Sequence, residues 1–137
     1  TELKPPVWYR LRIAWIRLRS LAVHRRAMAA FGAGSFVEAP QLILGHENIS
    51  IGARTSIRAG ARIEAHQRYA HRRPTLTIGS DTNIEQNVHI ICHSVVTIGD
   101  RVSITGGCAI VDVTHPIGPE IVKIGAEVLD EDSYVVI

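Results

Sequence analysis

The residue best placed to do chemistry in this chain is His115, which stands in a His115-Pro116 step. Its imidazole titrates close to neutral pH, so it can take a proton from a hydroxyl or return one to a leaving group. His93 is expected at the corresponding corner one coil earlier. Successive coils lie about 4.8 Å apart, which brings the two rings within reach of a common pocket. Glu85 is expected to point outward and Asn87 to sit at a bend, one face away from the histidines. The plain alternatives are a surface histidine before a turn proline, a solvated corner at His93, and a turn-forming asparagine. Cys92 and Cys108 lack C-x-x-C spacing, so neither a zinc ribbon nor a disulfide framework is indicated. Cys108 fills a small inward slot. Cys92 has no third group to orient it as a nucleophile and is read as structural.

These residues are carried on a chain with a six-residue rhythm. Ile78, Ile84 and Ile90 recur twenty residues later as Ile98, Ile104 and Ile110, and Ile51, Ile57 and Ile63 precede them. A strand alternates sides every two residues, so an apolar residue at i with a small or branched one at i+4 gives two inward positions and then a bend. Three bends close a triangle. The inward set is Ile78, Thr82, Ile84, Val88, Ile90, Ser94, Ile98, Val102, Ile104, Cys108, Ile110 and Thr114. Corners fall at Ser80-Asp81, Gln86-Asn87, Asp100-Arg101 and Gly106-Gly107. The residues left over from three six-residue faces, Val96 and Thr97, are expected to form a loop. A doubly wound α/β fold fails because no crossover helix fits between the strands.

The segment Gln67 to Pro74 breaks the rhythm and is expected to project as a basic loop, and a second long loop follows Pro116. The last coil is expected to be truncated, because the next Ile-Gly unit is due at Ile137. Residues 1–34 are assigned to a basic helical segment and 35–137 to the β-helix. The helix is expected over Val7 to Ala30, ended by Gly32 and Gly34, with Trp8, Leu11, Trp15, Leu18 and Ala22 at helical spacing beside many arginines. Such a helix suits an anionic lipid surface. The preferred reading is that it packs on its own domain or on a neighbouring subunit.

The chain carries 15 Lys and Arg against 13 Asp and Glu, a net charge of +2 that implies no nucleic-acid partner. No apolar run reaches the roughly 20 residues that span a bilayer, and the N-terminal apolar residues are interrupted by arginines, unlike a secretory signal. The expected location is the cytoplasm, with room for peripheral contact at the inner membrane. Arg54, Arg58, Arg62, Arg68, Arg72 and Arg73 could hold phosphates or simply be solvated.

The units Ile78-Gly79-Ser80-Asp81-Thr82-Asn83-Ile84 and Ile98-Gly99-Asp100-Arg101-Val102-Ser103-Ile104, with Val113-Thr114-His115-Pro116, resemble the hexapeptide-repeat acyltransferases. Within them the chain is most similar to sugar O-acetyltransferases of the galactoside and maltose acetyltransferase type and to relatives in bacterial polysaccharide biosynthesis. The resemblance covers roughly Phe31 to Pro116. It implies a left-handed parallel β-helix, a homotrimer, acetyl-CoA as donor, and a saccharide acceptor, the basic helix favouring a lipid-linked one. It also implies His115 as general base and Glu85, Asn87 and His93 at the acceptor, with no assignment for the CoA-binding residues. At the corner of His93 those enzymes usually carry an acid. Two other readings are a non-catalytic assembly module and a protein like the γ-class carbonic anhydrases, with zinc on His89, His93 and His66 or His115. The four-residue spacing of His89 and His93 turns one of them toward another face, so no metal is expected.

Overall fold

A computed structural model of the chain describes residues 3–68, 71–113 and 133–137. Among the described residues helix α1 (Val7–His24) comes first, followed by thirteen short strands. These are β1 (Ala30–Phe31), β2 (Phe36–Val37), β3 (Leu42–Leu44), β4 (Ile49–Ile51), β5 (Ser56–Ile57), β6 (Arg62–Glu64), β7 (Thr75–Ile78), β8 (Asn83–Ile84), β9 (His89–Ile91), β10 (Val95–Ile98), β11 (Ser103–Ile104), β12 (Ala109–Val111) and β13 (Tyr134–Val136). The chain visits three sheets in rotation. The first holds β1, β4, β7, β10 and β13, the second β2, β5, β8 and β11, and the third β3, β6, β9 and β12. Every pairing is parallel, an arrangement consistent with a parallel β-helix.

The isoleucine rows are the core. Ile51, Ile78 and Ile98 lie in register on the first sheet, Ile57, Ile84 and Ile104 on the second, and Ile63, Ile90 and Ile110 on the third. All nine are buried. Each such side chain contributes about 1.5–3 kcal/mol, which a single isolated coil could not collect because its two faces would stay wet. Thr82, Val88 and Ser94 are buried as expected, while Val102 and Cys108 are partly exposed and Thr114 lies outside the described residues.

The bends explain the small residues. Gly34, Arg54, Asp81 and Arg101 form one corner column, and all four have left-handed φ, between 54° and 77°. At the next corner Gly60, Asn87 and Gly107 do the same. The glycine after each first-sheet isoleucine has a different cause, which is close approach between coils. A Cβ on Gly79 would lie 2.5 Å from the carbonyl carbon and oxygen of Gly99, so no larger residue fits there.

Two expectations change. Val96 and Thr97 are not a loop but the middle of β10, with Val96 fully buried, so the surplus residues lengthen the first-sheet strand instead. The helix ends at His24 rather than Ala30, and Ala30-Phe31 already belongs to a coil, paired as β1 with Ser50 and Ile51. The six-residue series therefore starts with Phe31, Val37 and Ile43.

A buried hydroxyl file threads the coils. Ser35 donates to the Gly52 carbonyl at 2.6 Å, Thr55 to that of Gly79 at 2.6 Å, and Thr82 to that of Gly99 at 2.9 Å. Each hydroxyl also accepts a backbone N–H from the following coil, those of Thr55, Thr82 and Val102 in turn. This satisfies polar groups that burial would otherwise leave costly.

Candidate functional site

The corner between the third and first sheets gathers the histidines. The register makes His66 the equivalent of His93 across the inserted segment, since Glu64 pairs with Ile91. Their rings meet edge to face at 5.5 Å. One coil earlier His46 stacks on His24 of the helix at 5.7 Å. Burial pushes the His24 pKa down, and the nearby His46 and Arg19 add to the effect.

His93 is buried, with 1% of its surface accessible, so this corner is not solvated. The Asp112 carboxylate, itself buried, accepts the backbone N–H of His93 at 2.8 Å and that of Ser94 at 2.7 Å. An acid in the fourth coil therefore fixes the corner of the third. By continuation of the register Val113 stands over His93. His115 itself lies outside the described residues.

Glu85 and Asn87 lie one sheet away from His93, with β9 between them, as expected. Glu85 is half-buried on the outer side of the second sheet, at the end of a polar chain. The Ser56 hydroxyl donates to the Asn83 amide oxygen, and the Asn83 amide N–H donates to the Glu85 carboxylate. That chain holds the carboxylate in one orientation, facing outward. Asn87 is an exposed corner residue with φ 57°, and its amide oxygen covers Gly60 of the preceding coil. The turn alone accounts for its type, because asparagine tolerates the left-handed region. The described structure does not bring Glu85, Asn87 and His93 into one pocket within a single chain.

Other candidates find structural partners. Cys92 is fully buried, and burial, reinforced by the Asp112 charge, raises its thiol pKa to about 12, which leaves no thiolate at neutral pH. His89 is half-buried on β9, in register with Arg62 and Ala109. Among the described residues no group of three His, Cys, Asp or Glu side chains is arranged to hold a metal ion.

The six arginines raised as phosphate ligands all have partners within the chain. Arg54 makes a bidentate pair with Asp81 at 2.6 and 2.7 Å, which holds the Asp81 carboxyl below its usual range. Arg58 reaches Glu38 at 3.8 Å and lies over the Phe36 ring. Arg62 pairs with Glu64, and Arg73 donates to the Asn48 amide oxygen at 2.7 Å. Sequence reasoning missed the His66–His93 contact and the Asp112 clamp. The signal lay in the offset of 27 rather than 20 residues across the insertion. Comparison with protein families, curated proteins and solved structures finds no match to this chain.

Proposed function

We propose that this chain is the repeat domain of a hexapeptide-type sugar O-acetyltransferase, a left-handed β-helix working as a homotrimer in bacterial surface-polysaccharide assembly. Its donor is acetyl-CoA and its acceptor a saccharide hydroxyl, with the acceptor carried on a lipid. The observation that carries the reading is the Ile-Gly register, with twenty residues per uninterrupted coil in all-parallel sheets, running up to a His-Pro step just past the Asp112 corner.

In this reading His115 takes the proton of the acceptor hydroxyl as its oxygen attacks the thioester carbonyl. The carbon–sulfur bond breaks, and the imidazolium returns the proton to the leaving CoA thiolate, so no covalent acyl-enzyme forms. The Asp112 clamp fixes the His93–Ser94 corner, and Asp112 precedes His115 by three residues in the sequence. In this reading His93 is a positioning residue. Glu85 and Asn87 offer outward polar groups to an acceptor lying along the second sheet. The burial of His93 also suits a second reading, a non-catalytic assembly module in which the corner is only structural.

Thioester release from acetyl-CoA with a panel of free and lipid-linked saccharides separates the two. Acetyl transfer is expected, and His115→Ala should lower turnover by about 10²–10⁴-fold without changing the oligomer seen by size exclusion. Undiminished turnover in that variant removes His115 from the mechanism. Absence of release with every acceptor favours the assembly module.

A further inference from the structure

Helix α1 presents two opposite stripes, and only one of them is used by the fold. The side toward the domain carries half-buried Ile13 and Ile16 and buried Ser20 and His24. The Ser20 hydroxyl accepts the Val37 N–H at 2.9 Å, and His24 rests near the Phe31 ring. Arg12 pairs with Glu38, and Arg17 lies over the Phe36 ring, so the helix is seated on β2 by several independent contacts. The opposite stripe is the tryptophan face. Trp8 is 65% exposed, Leu11 66%, Trp15 66% and Leu18 61%. These residues recur at three- and four-residue steps and so form one continuous ridge.

Cations border that ridge on both sides. Arg10 and Arg17 lie along one flank and Arg12 and Arg19 along the other, each pair separated by two helical turns, and of these Arg10 and Arg19 are not among the contacts that seat the helix. Beyond the helix end, exposed Arg25 and Arg26 join Leu18, Leu21 and Ala22 around a cavity of about 650 Å³. From residue 3 to residue 37 the sequence contains no Asp or Glu.

We propose that this ridge docks the protein in the plane of an anionic lipid surface, with the tryptophans and leucines in the acyl boundary and the arginines at the phosphates. Charge complementarity selects this occupant. A second copy meeting the ridge through a two-fold contact would set arginine rows against arginine rows, of which only Arg12 has an acid, Glu38, beside it. Amphipathic tryptophan rings favour the level of the headgroups, and arginine stems can lie along apolar surface while their heads stay at the phosphates. The helix lies on the membrane rather than through it, since no helix among the described residues is long and apolar enough to cross one. The inference is independent of the acetyl-transfer reading.

Trp8 and Trp15 are the only tryptophans in the sequence, so their emission reports this face alone. The full chain would be mixed with vesicles of phosphatidylcholine and with vesicles containing about one-third phosphatidylglycerol, at low and high salt. The expected result is a blue shift and co-sedimentation with the anionic vesicles only, weakened by salt. Each of Arg10→Gln and Arg19→Gln should lower partitioning by about five-fold. Leu11→Glu should abolish binding with the circular dichroism and melting curve unchanged, because that side chain is mostly exposed. Failure to bind anionic vesicles overturns the proposal. So does a blue shift that grows with protein concentration in the absence of lipid, which would assign the ridge to another copy. Equal binding to neutral vesicles would overturn the role of the arginines.

Discussion

Thr55→Val tests whether the hydroxyl file holds the coils together. Thr55 is fully buried, and its hydroxyl serves two neighbours, donating to the Gly79 carbonyl at 2.6 Å and accepting the Thr82 N–H at 3.3 Å. Valine has nearly the same shape, so packing is preserved while both backbone groups come to face a methyl. A buried group deprived of its partner costs about 1–3 kcal/mol. The contact to Thr82 is long and falls at the low end of that range, so the two losses together come to about 2–4 kcal/mol. Against a typical domain stability of about 5–15 kcal/mol this is a large fraction. Urea unfolding followed by circular dichroism should show a lower midpoint at unchanged slope. Thr55→Ser keeps the hydroxyl and removes one methyl, at a cost of about 0.5–1.5 kcal/mol by analogy with other single-methyl deletions. The expected order is wild type, then serine, then valine. A valine variant as stable as wild type, or more stable than the serine variant, would refute the reasoning.

Gly79→Ala should destabilise by at least about 1–3 kcal/mol because its Cβ meets Gly99 backbone that cannot swing aside, whereas Gly107→Asn should be close to neutral in thermal melts. Gly107 has φ 76° and open space around its Cβ position, and Asn87 already fills the equivalent corner. The lowered pKa of His24 means that the unfolded chain binds its proton first, so this group stabilises the fold above its ordinary value of 6.5. That contribution should fade as pH falls from 6.5 toward the depressed folded value, and the difference between wild type and His24→Gln in urea midpoints measured from pH 7.5 to 4.5 should show it. A difference independent of pH would count against the buried neutral imidazole. Asn87→Gly should retain the melting temperature; if acetyl transfer falls nonetheless, the amide touches the acceptor, and if transfer is unchanged the residue only forms the turn. In the native protein at pH 8, iodoacetamide should modify Cys108 and spare Cys92, whose buried thiol is raised to about 12. Rapid labelling of Cys92 under folding conditions would contradict its burial.

What the sequence made legible follows from which forces are periodic. The nine isoleucines share one residue type and one spacing, so the inner rows could be read directly, as could the corners at Ser80-Asp81, Gln86-Asn87 and Asp100-Arg101, whose left-handed φ only the structure shows. The coil of Phe31, Val37 and Ile43 keeps the spacing but changes residue type at every step, so from sequence its first member reads as a helix end. The environment of His93 was hidden for a different reason. Its burial depends on Asp112 from the next coil and on His66 from the previous one, and the insertion shifts the second of these by seven residues.

The helix illustrates the limit most clearly. Hydropathy marks Trp8, Leu11, Trp15 and Leu18 as the face that should seek a partner, and the fold leaves that face exposed. It buries instead a stripe containing a serine and a histidine, which by composition looks like a solvent face. Ser20 can be buried because the N–H and carbonyl of Val37 both meet its hydroxyl, and His24 because His46 and Phe31 meet its ring. Both depend on strands far along the chain, so helical periodicity reveals the two stripes while only the tertiary partners decide which is inside. Once the polar stripe has been taken by the domain, the tryptophan ridge is available to something outside it, and its arginine borders restrict what that can be.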